Sequence, residues 1–254
     1  MPPHAITFDL WDTLVIDDSD EPRRAAAGLQ SKPLARAARF AALLREAHPD
    51  LPADRVQAAW DHAQERFRHA WKVEHHTPGV AWRLGQAFDQ LGIAAPAETD
   101  ACVADIESME VRFAPDPAPH AVAVLQALHG RYPLAIISDA IVTPGLLLRD
   151  VMKQHGLARY FDAFIFSDEA GAAKPARAVF DQAAAALGVP VTGLVHVGDR
   201  EANDIAGPHG VGARAVLYTG VIDRGSETSA ADIICADHRD LPAQLDALLA
   251  APHP

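Results

Sequence analysis

The spacing of apolar positions along this chain changes character near residue 116. Beyond it, Val/Ile/Leu-rich runs at 134–138, 163–167, 193–197, 213–218 and 231–235 lack strict polar alternation and predict strands buried on both faces. Between them, Ala-rich stretches at 120–129, 145–155, 176–187, 202–209 and 241–249 carry helical spacing. Strands of this kind alternating with helices predict a parallel, doubly wound α/β sheet covered by helices. A further apolar run at residues 5–9 joins the same sheet from the far side of the intervening segment.

That segment, residues 15–115, holds no convincing strand. Helix-period stretches at 34–47, 53–73, 79–91 and 99–113 are separated by Pro49-Asp50-Leu51-Pro52, Thr77-Pro78-Gly79 and Ala94-Ala95-Pro96, which break helices. The expected division is therefore a core from residues 1–14 and 116–254 with a helical insertion at 15–115. Trp60, Phe67 and Trp71 share one helical face and read as the core of that insertion.

Composition narrows the class. With 254 residues and 49% hydrophobic side chains, the chain can form one large domain or one domain with an insertion. No apolar stretch approaches the roughly 20 residues needed to span a bilayer, and Met1-Pro2-Pro3-His4 offers no basic leader. Cys102 and Cys235 lie far apart, without metal-like spacing, and read as buried reduced thiols of a cytoplasmic protein. The net charge of −12 argues against nucleic acid and anionic membrane as partners. A phosphorylated small molecule remains compatible, because a bound cation and a local Lys or Arg reverse the field inside one pocket. Oligomeric state is not legible.

Four apolar runs end in polar chemistry. The first is Ala5-Ile6-Thr7-Phe8-Asp9-Leu10-Trp11-Asp12-Thr13-Leu14, where a carboxylate stands at a strand end, the place open α/β sheets put their chemistry. The others are Leu134-Ala135-Ile136-Ile137-Ser138-Asp139, then Ala163-Phe164-Ile165-Phe166-Ser167-Asp168 with Lys174-Pro175 beyond, and Leu194-Val195-His196-Val197-Gly198-Asp199 followed by Asn203-Asp204. Taken singly, Lys174 reads as a solvated loop lysine, Ser138 as a strand-end cap, and Asp199 and Asp204 as helix N-terminal acids. In this order they resemble the four motifs of the haloacid dehalogenase-like hydrolase superfamily. The resemblance covers most of the chain and implies a Rossmann-like core with an inserted all-helical cap domain.

The resemblance also implies roles. Asp9 would be the nucleophile and, with Thr13, Ser138 and Lys174, make up the catalytic set; Trp11, Asp12 and Asp139 would touch substrate. Attack of Asp9 on phosphorus gives an aspartyl-phosphate, and because two anions must meet, a Mg²⁺ ion is expected on Asp9, the Trp11 carbonyl, Asp199 and Asp204. Lys174 would neutralise the phosphoryl group while Ser138 donates to its oxygens.

One position departs from the phosphatases of that superfamily, which usually carry a second Asp two residues after the nucleophile to protonate the leaving oxygen. Here it is Trp11, whose indole N–H cannot shuttle a proton. Asp12 reads as turn chemistry, with a displaced acid as the other option. Three functional readings follow: a phosphatase acting on good leaving groups or borrowing an acid such as His75 or His76; a 2-haloacid dehalogenase, whose halide needs no proton; or a non-catalytic phospho-ligand binder. Retained Asp199 and Asp204 favour a metal-dependent phosphatase over a dehalogenase, and Asp139 would repel a departing halide. Retention of the whole acidic set argues against the non-catalytic reading.

Overall fold

The computed structural model describes residues 4–250; Met1-Pro2-Pro3, read above for a leader, and residues 251–254 of the expected core lie outside the described residues. Strand β1 (Ala5–Phe8) is followed by helices α1 (Glu21–Ala26), α2 (Lys32–Ala47), α3 (Ala53–Lys72), α4 (Val80–Leu91), α5 (Thr99–Glu107) and α6 (Met109–Arg112). Then come α7 (Ala121–Leu128), β2 (Leu134–Ser138), α8 (Gly145–Gln154), β3 (Ala163–Phe166), α9 (Ser167–Ala170) and α10 (Arg177–Leu187). The chain closes with β4 (Leu194–Gly198), α11 (Ala206–His209), β5 (Arg214–Tyr218), β6 (Ile233–Cys235) and α12 (Leu241–Ala250).

The six strands form one parallel sheet in the order β3-β2-β1-β4-β5-β6. Phe8 pairs with both Ile136 and Val197, so β1, β2 and β4 end together and deliver Asp9, Ser138 and Asp199 to one edge. The strand order reverses between β1 and β4, and that switch point is where open α/β sheets leave a crevice for ligand.

Both faces of the sheet are covered. On one, Phe8, Ile136, Val195 and Val216 pack with Leu125, Leu148 and Leu241 from α7, α8 and α12; on the other, Ile137 and Leu194 meet Val179, Phe180 and Ala183 of α10. The expectation that every strand is buried on both faces holds for β1, β2, β4 and β5. It fails at β3, where only Phe166 is buried, and at β6, where Ile234 is exposed. These two are the edge strands, with a neighbour on one side only.

The helices between β1 and β2 carry a separate apolar cluster. Phe40, Leu43 and Leu44 of α2, Ala59 and Ala63 of α3, Leu84 and Phe88 of α4, and Cys102 and Ile106 of α5 are buried against one another. Their spacing of three or four residues places each set on one helical face. The stretch predicted as one helix over 99–113 breaks at Ser108, whose hydroxyl bonds back to the Ala104 carbonyl at 2.7 Å. The helical stretch leaves and rejoins the sheet region at adjacent points: Ile16 N–H donates to Asp116 and Ala118 N–H to Leu14, each at 2.9 Å. Both cysteines are buried and unpaired. No helix among the described residues is long and apolar enough to cross a membrane.

Candidate active site

Asp9 follows β1, and its amide donates to the Val197 carbonyl of β4 at 2.8 Å, which pins the residue across the switch point. The Lys174 ammonium, fully enclosed, lies 2.8 Å from Asp9 Oδ1 and 2.5 Å from Asp204 Oδ1. Burial works against its charge, but Asp204, Asp9 and Asp139 together hold its pKa above that of an ordinary lysine. Burial pushes the Asp9 carboxyl up, to about 7; Lys174 pulls it down, and Asp204 and Asp199 add to the rise. Asp204 is also buried, yet Lys174 and His196 hold its carboxyl well below the usual range.

Asp204 is fully engaged. Its Oδ1 takes Lys174 and His196 Nε2 (3.1 Å), and its Oδ2 accepts the Arg200 amide at 2.9 Å. A carboxylate cannot donate, so Nε2 carries the imidazole proton and Nδ1 accepts from the Thr7 hydroxyl at 2.8 Å. Burial keeps this imidazole neutral, with its pKa lowered. The sequence expectation of a helix over 202–209 gives way to a π turn, Glu201–Ile205, and a single helical turn at α11. The wider turn carries Asp204 back beneath the sheet edge, and Gly198 makes room, since a Cβ there would fall on the Asp204 carboxyl.

Asp199 is buried, with Oδ2 accepting from Arg224 Nε at 2.6 Å and Oδ1 without a hydrogen-bond partner among the described residues, Arg200 Nε standing 3.9 Å from it. Asp9, Asp199 and Asp204 each bring a carboxylate oxygen to within 4.8 Å of the other two. An all-oxygen set with one unsatisfied buried oxygen fits a hard divalent cation. Since Asp204 already has its oxygens bonded, Asp9 and Asp199 are the better placed ligands, and Asp204 orients Lys174.

Asp9, Trp11, Ser138, Asp139, Lys174 and Asp204 line one cleft of about 200 Å³. The Ser138 hydroxyl is buried and has no partner among the described residues. Asp139 is fixed from three sides: Oδ1 accepts the Lys174 amide at 3.0 Å, and Oδ2 accepts Trp71 Nε1 at 2.8 Å and Asn203 Nδ2 at 3.3 Å. Asp12 and Thr13 are buried beside this cleft rather than lining it. Asp12, in the left-handed region at φ 52°, accepts from Asp17 N (3.0 Å) and Arg224 Nη2 (2.7 Å), while the Thr13 carbonyl accepts from His238 at 2.8 Å. His75 and His76 lie near the surface and do not line the cleft.

Three participants escaped the sequence reading and one was half read. Trp71, read as insertion core and also as one of the insertion side chains able to set specificity, reaches Asp139, and with Phe67 and Trp60 it walls a second cavity. Arg224 clamps Asp12 and Asp199 from a loop with no local signal. Asp17 lines the cleft at its solvent-exposed rim, with its carboxyl raised by partial desolvation and by Asp18. His196 did carry a signal, being the one ionisable residue in an otherwise apolar strand.

The family description haloacid dehalogenase-like hydrolase matches residues 3–212. Over 92 residues the chain is 36% identical to pyrimidine 5'-nucleotidase YjjG of Escherichia coli (strain K12), a match spanning 36% of this chain and 40% of that protein. Over 70 residues it is 36% identical to haloacid dehalogenase-like hydrolase domain-containing protein 3 of Danio rerio, spanning 28% of this chain and 29% of that one. In fold it resembles a phosphatase of the same superfamily from Thermococcus onnurineus, with TM-score 0.63, 23% identity, and 95% and 97% of the two chains covered. It also resembles a 2-haloacid dehalogenase from Pseudomonas syringae pv. Tomato DC3000, with TM-score 0.65, 20% identity, and 97% and 99% covered.

Proposed function

Since the chain belongs to the haloacid dehalogenase-like hydrolase family, we propose that it is a Mg²⁺-dependent hydrolase of small phosphorylated molecules that works through an aspartyl-phosphate on Asp9. The observation that carries this reading is the convergence on one cleft of a carboxylate beside a buried ammonium and an unpartnered buried hydroxyl: Asp9, Lys174 and Ser138. Helices α1–α6 would serve as the cap, excluding water through the Trp71 contact to Asp139.

Asp9 Oδ2, free of the Lys174 bond, attacks phosphorus; the P–O bond to the leaving group breaks and its electron pair leaves with that oxygen. Lys174 favours the ionised form of Asp9 against its burial and faces the phosphoryl charge, while Ser138 Oγ donates to a phosphoryl oxygen. Bound at Asp9 and Asp199, Mg²⁺ would neutralise the charge that accumulates as the two anions meet. Water then attacks phosphorus, freeing Asp9 and phosphate. Trp11 supplies no acid, so leaving groups of low basicity, or a proton from Asp17 on the cleft wall, fit the site. The likeness to a pyrimidine 5'-nucleotidase supports including pyrimidine 5'-nucleotides among the substrates tested.

A second reading, carbon–halogen hydrolysis, is favoured by Trp11 together with Arg224, whose guanidinium meets Asp199 as a cation would. A panel of phosphate esters and 2-haloacids, assayed with and without Mg²⁺, separates the two. Mg²⁺-dependent phosphate release supports the proposal; metal-independent halide release without phosphate release replaces it by the second reading.

A further inference from the structure

Beyond the catalytic cleft lies a second cavity of about 340 Å³ between α3, α4 and the loop after β2. The two share Pro33, Arg36, Trp71, Ile141 and Val142 on their walls, so they adjoin. The second is walled mainly by Trp60, Phe67, Leu84 and Ile106, and no carboxylate lines it. Into this apolar chamber is set Arg83, with 5% of its surface exposed.

Arg83 has no anionic partner among the described residues. Its guanidinium carbon lies 3.3 Å from the Phe67 ring centroid, and Nη1 makes one long contact to Gln64 Oε1 at 3.4 Å; Nε and Nη2 have no partner among the described residues. Gln64 Nε2 and Arg36 Nε, on the same chamber, are likewise buried and unpartnered. Contact with one aromatic face does not offset the desolvation of a cation, and buried charges are otherwise paired. Burial, reinforced by the neighbouring Arg36, lowers the Arg83 pKa to about 9. Arg36 is spoken for by Glu110 at 2.9 Å. One guanidinium fork without an anionic partner among the described residues therefore stands in an apolar chamber next to the reacting end, and its planar donors match a carboxylate.

We infer that Arg83 and Gln64 form a carboxylate-binding subsite, and that the substrate carries a carboxylate on an apolar stem remote from its reacting group. The identity of the reacting group rests on the proposed phosphatase reading, whereas the carboxylate subsite does not.

The test is calorimetric, with probes that do not turn over: phosphonoacetate, 3-phosphonopropionate, 4-phosphonobutyrate and 6-phosphonohexanoate, each against the n-alkylphosphonate of equal length, plus hexanoate alone. At least one phosphonocarboxylate should bind about 10- to 100-fold more tightly than its alkyl counterpart, the range for hydrogen bonds between charged groups. Arg83→Met should erase that gain and leave alkylphosphonate affinity unchanged; replacing a buried unpaired cation by an apolar side chain of similar length should also keep or raise the melting temperature. Arg83→Gln, which retains a donor, is the second variant. Equal affinities across the series, or a gain that survives both substitutions, overturn the inference. If no phosphonate binds but hexanoate does, and Arg83→Met abolishes it, the subsite stands and the phosphatase reading fails. If the phosphonates bind without any gain from the carboxylate, the subsite fails and the phosphatase reading stands.

Discussion

Replacing Lys174 by Met removes the one cation that stands between two enclosed carboxylates. In the native protein the ammonium is 2.8 Å from Asp9 and 2.5 Å from Asp204, and all three side chains are buried. Breaking a buried ion pair by deleting one partner costs about 3–5 kcal/mol, because the remaining charge is left without compensation. For a chain of 254 residues, an unfolding entropy of about 0.5 kcal/mol/K converts that loss to a fall of roughly 6–9 °C in melting temperature. The deficit should also depend on pH, with a definite sign. Native Asp204 has a depressed pKa, so it contributes stability above the unfolded value near 3.8 that is lost as pH falls through the folded one. Without Lys174 that contribution disappears, and Asp9 and Asp204 are left to resist ionisation in the folded state. The gap between native and Lys174→Met proteins should therefore already include that loss near pH 4 and widen toward pH 8, as the two unpaired carboxylates ionise in the unfolded chain but resist it in the folded one. Scanning calorimetry of both proteins across that range measures it. A gap below about 1 kcal/mol at pH 8, or one equal at all pH values, refutes the assignment of Lys174 as the charge that holds the two carboxylates together.

If the missing acid at Trp11 limits turnover, alkyl phosphates should react about 10²- to 10⁴-fold more slowly than aryl phosphates, with a pre-steady-state burst from the latter. Trp11→Asp should then raise alkyl phosphate turnover selectively, and equal rates with no burst would show that Asp17 or another group already supplies the proton. His238, enclosed and stacked on Tyr218 with centroids 4.0 Å apart, has its pKa lowered from 6.5 to about 4 by burial. The unfolded chain binds the extra proton between those values, so roughly 3 kcal/mol of stability is present above pH 6.5 and drains away as pH falls toward 4. Urea unfolding at several pH values should show that slope in the native protein and a shallower one in His238→Gln; parallel slopes would contradict it.

Much of the fold is legible because the sheet is built from local signals. The runs around 5–9, 134–138, 193–197 and 213–218 are mainly apolar without strict polar alternation, as suits strands between two helical layers, and a carboxylate or hydroxyl at the end of such a run lies at the sheet edge. Asp9, Ser138 and Asp199 were visible for that reason, and Lys174 by its position after β3. What stayed hidden depends on contacts across long sequence distances. Trp71 reaches Asp139 from 68 residues away, and Arg224 reaches Asp12 from 212. The rotation of α3 about its axis decides whether Trp71 faces its own helical layer or the cleft, and periodicity alone shows both as the same stripe. The direction in which Arg83 faces cannot be read from the sequence; its burial follows from α3 and α4 packing around Phe67.

The central claim is that Asp9 accepts a phosphoryl group, and it is tested most directly by acid-quenching the protein with an aryl phosphate and Mg²⁺ in the burst phase and sequencing the labelled peptide by mass spectrometry. The account predicts one phosphoryl group on Asp9, formed only with Mg²⁺ and absent from Asp9→Asn. Release of phosphate at an unchanged rate from Asp9→Asn, or a phosphoryl group on any other residue, would contradict it.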